Sequence, residues 1–423
     1  MQPVGFGGRM SEPVARPASR FALAFIFITM LVDTIGLGII IPVTPKIITE
    51  LTGEGLSSAA RWGGWLMFVF ALMQFFCAPI FGNLSDRFGR RPVLIISLIA
   101  LGIDYLITGL APTIVWLFVG RILSGMAGAT YPTVNAYIAD VSPPEKRAAN
   151  FGLTGAAFGI GFIIGPALGG IIGNAYGARM PFFVAAAVAL ANALFGFFVL
   201  KESLPLERRR TFEVWRANPI GSLIALRRFP MMFGLIGVGV LLQLAHDALP
   251  ATWTYYTMLK FNWTSADVGY SLMAVGALTA VSFGVLPRLV VPRIGETNAV
   301  YLGLAFSTLG YAGYAFSAAP WMLYTWMVVW SLGGIGGPAL NSIMSAQVPA
   351  DEQGELMGAR ASMDSITSII APVVMTGLFA YFTSAAAPIY FAGASFLAAA
   401  LCELAALGLF ARTKPHAALA PAE

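Results

Sequence analysis

Two cysteines and two histidines in 423 residues leave little material for metal or redox chemistry. Cys77 and Cys402 both lie inside apolar stretches, so neither a disulfide framework nor a metal site is expected. Charge is scarce as well. Asp, Glu, Lys and Arg make up 11% of the chain, against about a quarter in a typical soluble protein. That excludes a water-soluble enzyme. A hydrophobic content of 58% and a mean hydropathy of +0.78 exclude a disordered chain. No phosphate-binding run of the form Gly-x4-Gly-Lys-Ser/Thr occurs, which argues against a built-in ATPase. The net charge is +5, but the basic residues are scattered between apolar runs rather than clustered, so nucleic acid is not expected as a partner. No organic cofactor is expected either.

What the chain has is long apolar runs. A helix that crosses a bilayer needs about 20 mostly apolar residues. Twelve such runs can be drawn: 21–45, 62–83, 93–111, 114–138, 150–173, 181–200, 231–259, 267–287, 297–317, 321–346, 355–382 and 388–411. Backbone groups in lipid must be bonded within their own segment, so an all-α membrane protein with twelve transmembrane helices is expected. Residues 1–20 are polar and rich in Pro and Gly, and read as a disordered terminus. The first run is too long for a secretory signal and should stay in the membrane. The longest internal break, 201–229, carries Lys201, Arg208, Arg209, Arg210, Arg216, Arg227 and Arg228 and reads as a linker between two halves, 21–200 and 230–411. A short tail, 412–423, follows.

Positive residues set orientation. With the N-terminus inside, the inner segments receive Arg9, Arg16, Arg20, Arg87, Arg90, Arg91, Lys146, Arg147, the linker cations, Arg288, Arg293, Arg412 and Lys414. The outer side receives only Lys46, Arg61, Arg179 and Lys260, while Arg121 and Arg360 fall within runs. Both termini are therefore expected on the cytoplasmic side.

The second half repeats the first. A shift of 206 positions places Arg87 and Gly89 on Arg293 and Gly295, Tyr105 on Tyr311, Gly128 on Gly334, Pro132 on Pro338, Asn135 on Asn341, and Pro166 on Pro372. Apolar composition alone would not align Arg, Asn, Pro and Gly. Two six-helix halves in the same orientation predict a transporter that rocks one half against the other around a midplane site. Asp86, Asp104 and Arg121 fall on Pro292, Gly310 and Met327, so ion chemistry is expected mainly in the first half.

A charge at the bilayer centre costs ~2.5–3.5 kcal/mol or more, so each is a functional candidate. Asp33, about thirteen residues into the first helix, is the candidate proton carrier, with Gly36, Gly38, Pro42 and Pro45 after it. Asp104 and Arg121 flank a short turn at similar depth, where they could pair, or Arg121 could reach Asp33. An arginine holds its own proton and can compete with one for a carboxylate. His246 and Asp247 are adjacent on the seventh helix, about 100° apart, so one cavity should not hold both. Gln74, Asn135, Gln243, His246, Asp247 and Asn341 are candidate substrate contacts. Asp364 and Glu403 are weaker candidates, the twelfth helix being expected at the periphery.

The run Gly82-Asn83-Leu84-Ser85-Asp86-Arg87-Phe88-Gly89-Arg90-Arg91-Pro92 resembles the signature loop between helices two and three of the major facilitator superfamily. The resemblance implies that Gly82 and Gly89 allow a tight turn and that Asp86, Arg87 and Arg90 form a gate. It implies that Asp86 caps a helix of the other half in the outward-open state, and that Arg90 pairs with Asp140. Gly159-Ile160-Gly161-Phe162-Ile163-Ile164-Gly165-Pro166-Ala167-Leu168-Gly169-Gly170 is similar to the helix-five motif of the drug/proton antiporter branch, with Gly161, Gly165, Gly169 and Gly170 permitting close contact and Pro166 bending the helix. Gly120-Arg121-Ile122-Leu123-Ser124-Gly125 matches the helix-four arginine motif. Asp33-Thr34-Ile35-Gly36-Leu37-Gly38-Ile39-Ile40-Ile41-Pro42 resembles the first helix of the tetracycline/proton antiporters, and Ala71-Leu72-Met73-Gln74, Asp104-Tyr105-Leu106 and Pro250-Ala251-Thr252-Trp253 are similar to other parts of them. Where those exporters carry a helix-eight histidine and a helix-nine aspartate, this chain has Thr279 and Ala305-Phe306-Ser307-Thr308.

The expectation is a proton-coupled exporter of amphipathic small molecules in a bacterial inner membrane, not an enzyme and working as a monomer. Tetracycline-type antibiotics are the first candidate cargo, and a divalent cation travelling with a chelating drug is a further one. Another drug or metabolite as cargo, or uptake symport on the same fold, are the alternatives.

Overall fold

The computed structural model describes residues 20–128, 130–210, 232–349 and 352–413. The N-terminal stretch, most of the linker and the end of the tail lie outside them.

The described residues form helices joined by short turns, numbered here as twelve spans. Spans 1, 2 and 3 are Arg20–Ile40, Leu56–Phe88 and Arg90–Leu110. Span 4 is split into Ile114–Met126 and Thr130–Val141, and spans 5 and 6 are Pro144–Tyr176 and Met180–Val199. Span 7 comprises Phe233–His246 and Ala248–Phe261. Span 8 is Ser265–Gly284 with the short continuation Leu286–Ile294, and span 9 is Glu296–Phe316. Span 10 runs through Pro320–Leu332, a 3-10 turn Gly333–Ile335 and Gly336–Ala346; spans 11 and 12 are Gln353–Phe382 and Ala394–Arg412. Eleven helices are long and apolar enough to cross a membrane, and span 10 is the twelfth, divided by its glycine turn.

Several spans differ from the runs expected. The first run breaks after Ile40, and Thr44–Thr52 forms a separate helix with Pro45 in its first turn, where a missing N–H costs nothing. Spans 2 and 5 are longer than their apolar runs, because polar first and last turns project past the apolar part. Span 8 begins with a capping box, Thr264 Oγ1 accepting from the Asp267 amide and Asp267 accepting from the Thr264 amide at 2.9 Å.

Alternating span direction gives two faces. One carries the start of span 1, the end of span 12, the span 2–3 loop and the start of the linker, and is called the linker face. The other, the far face, carries the turns after spans 1, 3, 5, 7, 9 and 11. The internal repeat is visible in the backbone. Gly89 and Gly295, 206 positions apart, both adopt positive φ, 106° and 80°, at the start of spans 3 and 9. Pro166 and Pro372 both lie inside long helices, and Tyr105 and Tyr311 are both buried.

Span 5 is wedged between span 1 and span 8. Gly161, Gly165 and Gly169, one turn apart, form a groove for span 1. A Cβ on Gly165 would lie 2.8 Å from the Ile35 carbonyl and 3.0 Å from Gly38 Cα, and one on Gly169 would overlap the Ile39 carbonyl. Gly170 faces span 8, at Ser265 and Ala266, while Pro166 stands between the two spans, its ring against Gly38 of span 1 and its carbonyl against Gly269 of span 8. Small residues allow backbones to approach where lipid supplies no hydrophobic drive. Gly169→Val is expected to lower the melting temperature in detergent and reduce the folded yield, since overpacking costs about 1–3 kcal/mol or more; a thermal-shift assay reads it, and a wild-type melt would mean that span 1 moves aside freely.

Candidate functional site

The two halves meet at the far face and part toward the linker face. At the far end Thr383 Oγ1 of span 11 donates to Ser57 Oγ of span 2 at 2.7 Å. Gly63 lies against Tyr255, and Gly64 against Thr376. On the face of span 5 that meets span 8, Gly170 and Ile163 touch Ala266 and Gly276. Gly159 and Gly152, further along toward the linker face, have nothing within 4 Å of a Cβ position. A cavity of about 740 Å³ fills the gap between spans 2, 4 and 11, lined by Gln74, Gly82, Tyr131, Asp364 and Ser368 among others. A second cavity, about 250 Å³ and almost wholly apolar, lies nearer the far face between spans 1, 2, 4 and 7, with Leu37, Phe70, Arg121 and Tyr255 in its wall. The cleft between the halves is thus closed on the far face and open on the linker face.

Asp33 is 6% exposed and belongs to the protein interior, not to the lipid surface. Its helix is held in place by the span 5 groove, through Thr34 beside Gly161. Tyr105 and Tyr131 are within electrostatic range of its carboxyl. Among the described residues no cation pairs with it. Leu37, one turn further along span 1, lines the apolar cavity, and Tyr131 lines the larger one. Asp33 therefore sits between the two parts of the cleft.

Arg121 pairs with Asp104, not Asp33. Nη2 is 2.5 Å from Asp104 Oδ2, and the Asp104 side chain is 0% exposed. Gly120 makes room for this carboxylate, which a Cβ would strike. The Arg121 guanidinium also stands 5.9 Å from the Phe70 ring centroid, at the cavity wall.

The signature loop forms a compact charged knot. Arg90 Nη1 pairs with Asp86 at 2.6 Å and donates to Ser85 Oγ at 3.0 Å, and its Nε donates to Asp140 at 3.2 Å. Arg87 is exposed and lies over the Phe88 ring. The positive φ of Gly89 turns the chain into span 3, whose first free amides, Arg90 and Arg91, donate to the Glu202 carboxylate at 2.8 and 3.2 Å. A carboxylate at a helix N-terminus satisfies free donors and opposes the helix dipole. Ser203 donates to Asp140 at 3.1 Å, and the Arg210 amide donates to the Asp86 carbonyl. Nothing near the loop in the sequence points to Glu202, which lies 112 positions from Arg90. The only signal available was an acid just past the end of span 6.

Asp86 does not cap a helix of the other half in this state. The halves are apart at the linker face, so its partner is Arg90. Its side chain is 38% exposed, and an ion pair so open contributes about 0–1 kcal/mol. Asp86→Ala is therefore expected to melt close to wild type while exchange between the two states slows and drug turnover falls several-fold; wild-type turnover in vesicles would remove the gating role.

The remaining candidates divide. Gln74 lines the larger cavity and reaches the Gly128 carbonyl at 3.5 Å. Gln243 donates to Asp247 at 3.1 Å and to Ser368 at 3.2 Å, tying span 7 to span 11. Gln243, His246 and Asn341 line a third cavity inside the second half, which also holds Thr279 and Ser307. Asp247 is buried on the Ser368 side and is absent from that wall, as expected for neighbours 100° apart. Asn135 is exposed and lines none of these three cavities. It lies one helical turn from Tyr131 and Pro132, which line the larger cavity. The second half also holds charged side chains within its spans, Asp247, Arg360, Asp364 and Glu403, at positions the repeat does not share. Among the described residues no cluster of three His, Cys, Asp or Glu side chains could hold a metal ion.

The Major Facilitator Superfamily profile matches residues 26–372. This chain belongs to the major facilitator superfamily. It is 38% identical to the class C tetracycline resistance protein of Escherichia coli, over 86% of this chain and 90% of that protein. It is 30% identical to multidrug resistance protein 2 of Bacillus subtilis, over 84% of this chain and 88% of that one. Among solved structures, a bacterial homologue of the human lysosomal transporter Spinster, in an inward-facing and occupied conformation, superposes with a TM-score of 0.75 at 16% identity, covering 95% of this chain and 98% of that one. At that identity the likeness concerns the fold alone. As a superfamily member with this cleft, the chain is a multi-pass membrane transporter.

Proposed function

We propose that this transporter exports amphipathic drugs in exchange for protons, with tetracyclines as the first cargo. The observation that carries the reading is Asp33, a buried carboxyl without a cationic partner among the described residues, set between the two parts of a cleft that opens to one face. The names of the relatives support drug resistance as the outcome. The excess of basic residues on the linker face supports placing that face, and both termini, in the cytoplasm of a bacterium, with the protein in the inner membrane. The cleft is then open inward, ready to take cargo from the cell.

Asp33 takes a proton when the cleft faces outward and gives it up when it faces inward. Losing or gaining one charge in a dry cleft biases the choice between the two states. A 100 mV potential supplies about 2.3 kcal/mol per charge, and one pH unit about 1.4 kcal/mol. Together they sustain a drug gradient of roughly 500-fold per proton under electrogenic exchange. The apolar wall of the far cavity suits flat, lipophilic drugs generally, and a cleft complete within one chain supports a working monomer. A divalent cation bound to a chelating drug would be cargo, not a resident of the protein.

Purified protein in liposomes tests this. Tetracycline, then phenicols and other lipophilic drugs, are added under a pH gradient, and proton movement is read with an entrapped dye. Proton flux that appears only with drug is expected. A tight membrane with every drug, or uptake in the direction of the proton, would overturn the reading.

A further inference from the structure

The cavity inside the second half, about 360 Å³, is lined only by spans 7 to 12. Two of its wall residues are charged, Arg360 on span 11 and Glu403 on span 12. Glu403 is 3% exposed, so span 12 turns this acid inward although its other side meets lipid. Glu403 Oε2 and Arg360 Nη1 are both buried, and neither has a hydrogen-bond partner among the described residues. Arg360 leans instead on Asp364, one turn along its own helix, at 3.6 Å. An ionised carboxylate left unpaired in such a place is costly, whereas a neutral carboxyl is tolerated. Two things can satisfy Glu403: a proton on its oxygen, or the free arm of Arg360 crossing the cavity. They exclude one another, because a guanidinium keeps its own protons and only displaces the carboxyl's.

We propose that Glu403 is a second proton-binding site of this transporter, in the half that lacks counterparts of Asp104 and Arg121, and that Arg360 is the cation whose approach expels the proton. The titratable neighbours are few. Span 7 presents His246 to the same cavity and Asp247 beside it, and span 9 presents Tyr311, within electrostatic range of Glu403, and Tyr314. Span 11 presents Arg360 and Asp364, and Cys402 adjoins Glu403 on span 12 itself. Tyr256 and Tyr301 pack against Phe396 and Phe410 at the two ends of span 12. Arg360 is the permanent cation in this set. Proton binding does not depend on the proposed drug exchange; only its consequence for coupling rests on that reading.

Infrared difference spectra of the full chain in lipid, taken between mildly acidic and mildly alkaline solution with no drug present, read titrating carboxyls directly. Glu403→Gln should erase a carboxyl band that Asp33→Asn leaves in place, and Arg360→Gln should carry that band to higher pH. Should Glu403→Gln fail to fold, Glu403→Asp must move the band to the aspartate frequency. In liposomes, the proton-to-drug ratio from reversal potentials should fall by half in Glu403→Gln. Spectra untouched by both Glu403 substitutions would overturn the proposal, and a lost band with an unchanged ratio would overturn the part of Glu403 in coupling. A titrating Glu403 band in a protein that moves no drug would instead count against drug export and leave the proton site standing.

Discussion

Asp33→Asn is expected to abolish pH-driven drug accumulation while drug binding persists. Asn matches Asp in size, and no ion pair is broken, because no described cation reaches the carboxyl. The fold and the apolar cavity one turn away at Leu37 should therefore survive. What disappears is the ability to carry a proton. Under a gradient of two pH units one coupled proton sustains about 100-fold accumulation, and the variant should fall to equilibrium across the membrane. Liposomes measure the accumulation, and quenching of intrinsic fluorescence by tetracycline measures binding. Undiminished accumulation in the variant would refute the carrier role of Asp33. Loss of binding as well would mean that the carboxyl contacts the drug itself.

The second large effect belongs to Arg121. Its removal leaves Asp104, wholly buried, without the cation 2.5 Å away. Breaking a buried pair in this way costs about 3–5 kcal/mol, whereas replacing both partners with neutral groups can cost little. Arg121→Gln is expected to melt far below wild type, and the double substitution Arg121→Gln with Asp104→Asn should recover most of the loss. A double-mutant cycle on melting in detergent reads the coupling. Transport separates two meanings of the pair. If the recovered double variant still fails to exchange protons for drug, the pair works in the exchange; if it transports normally, the pair only holds spans 3 and 4 together.

Both variants act on residues that stand out in the sequence, since a charge within an apolar run needs a reason. The distribution of such legible features follows from physics. Apolar runs of bilayer length, the 206-position repeat and the glycine and proline spacing of span 5 are periodic or local, so they determine the twelve spans, the two halves and the close contact of spans 1 and 5. The positive φ of Gly89 and Gly295 is legible in the same way, as a glycine kept at both copies of one turn.

Packing between distant segments decided the rest. Glu202 caps span 3 from across the half, and no local pattern announces it. Asn135 and Asn341 are repeat-related and both exposed, yet of the two Asn341 is the one in the wall of one of these three cavities, because the neighbours packed around each helix differ. Whether Arg121 would meet Asp104 or Asp33 depended on side-chain reach across three spans. Glu403 lies on a helix that composition places at the periphery, and only the packing of span 12 against spans 7 and 9 shows its acid facing inward. The sequence alone determined that this chain crosses the membrane twelve times in two related halves, because hydropathy and period are properties of the chain itself. The tertiary structure alone decided which buried charges meet, which stand unpaired, and on which face the cleft opens, because those depend on how separately formed helices rotate and close against one another.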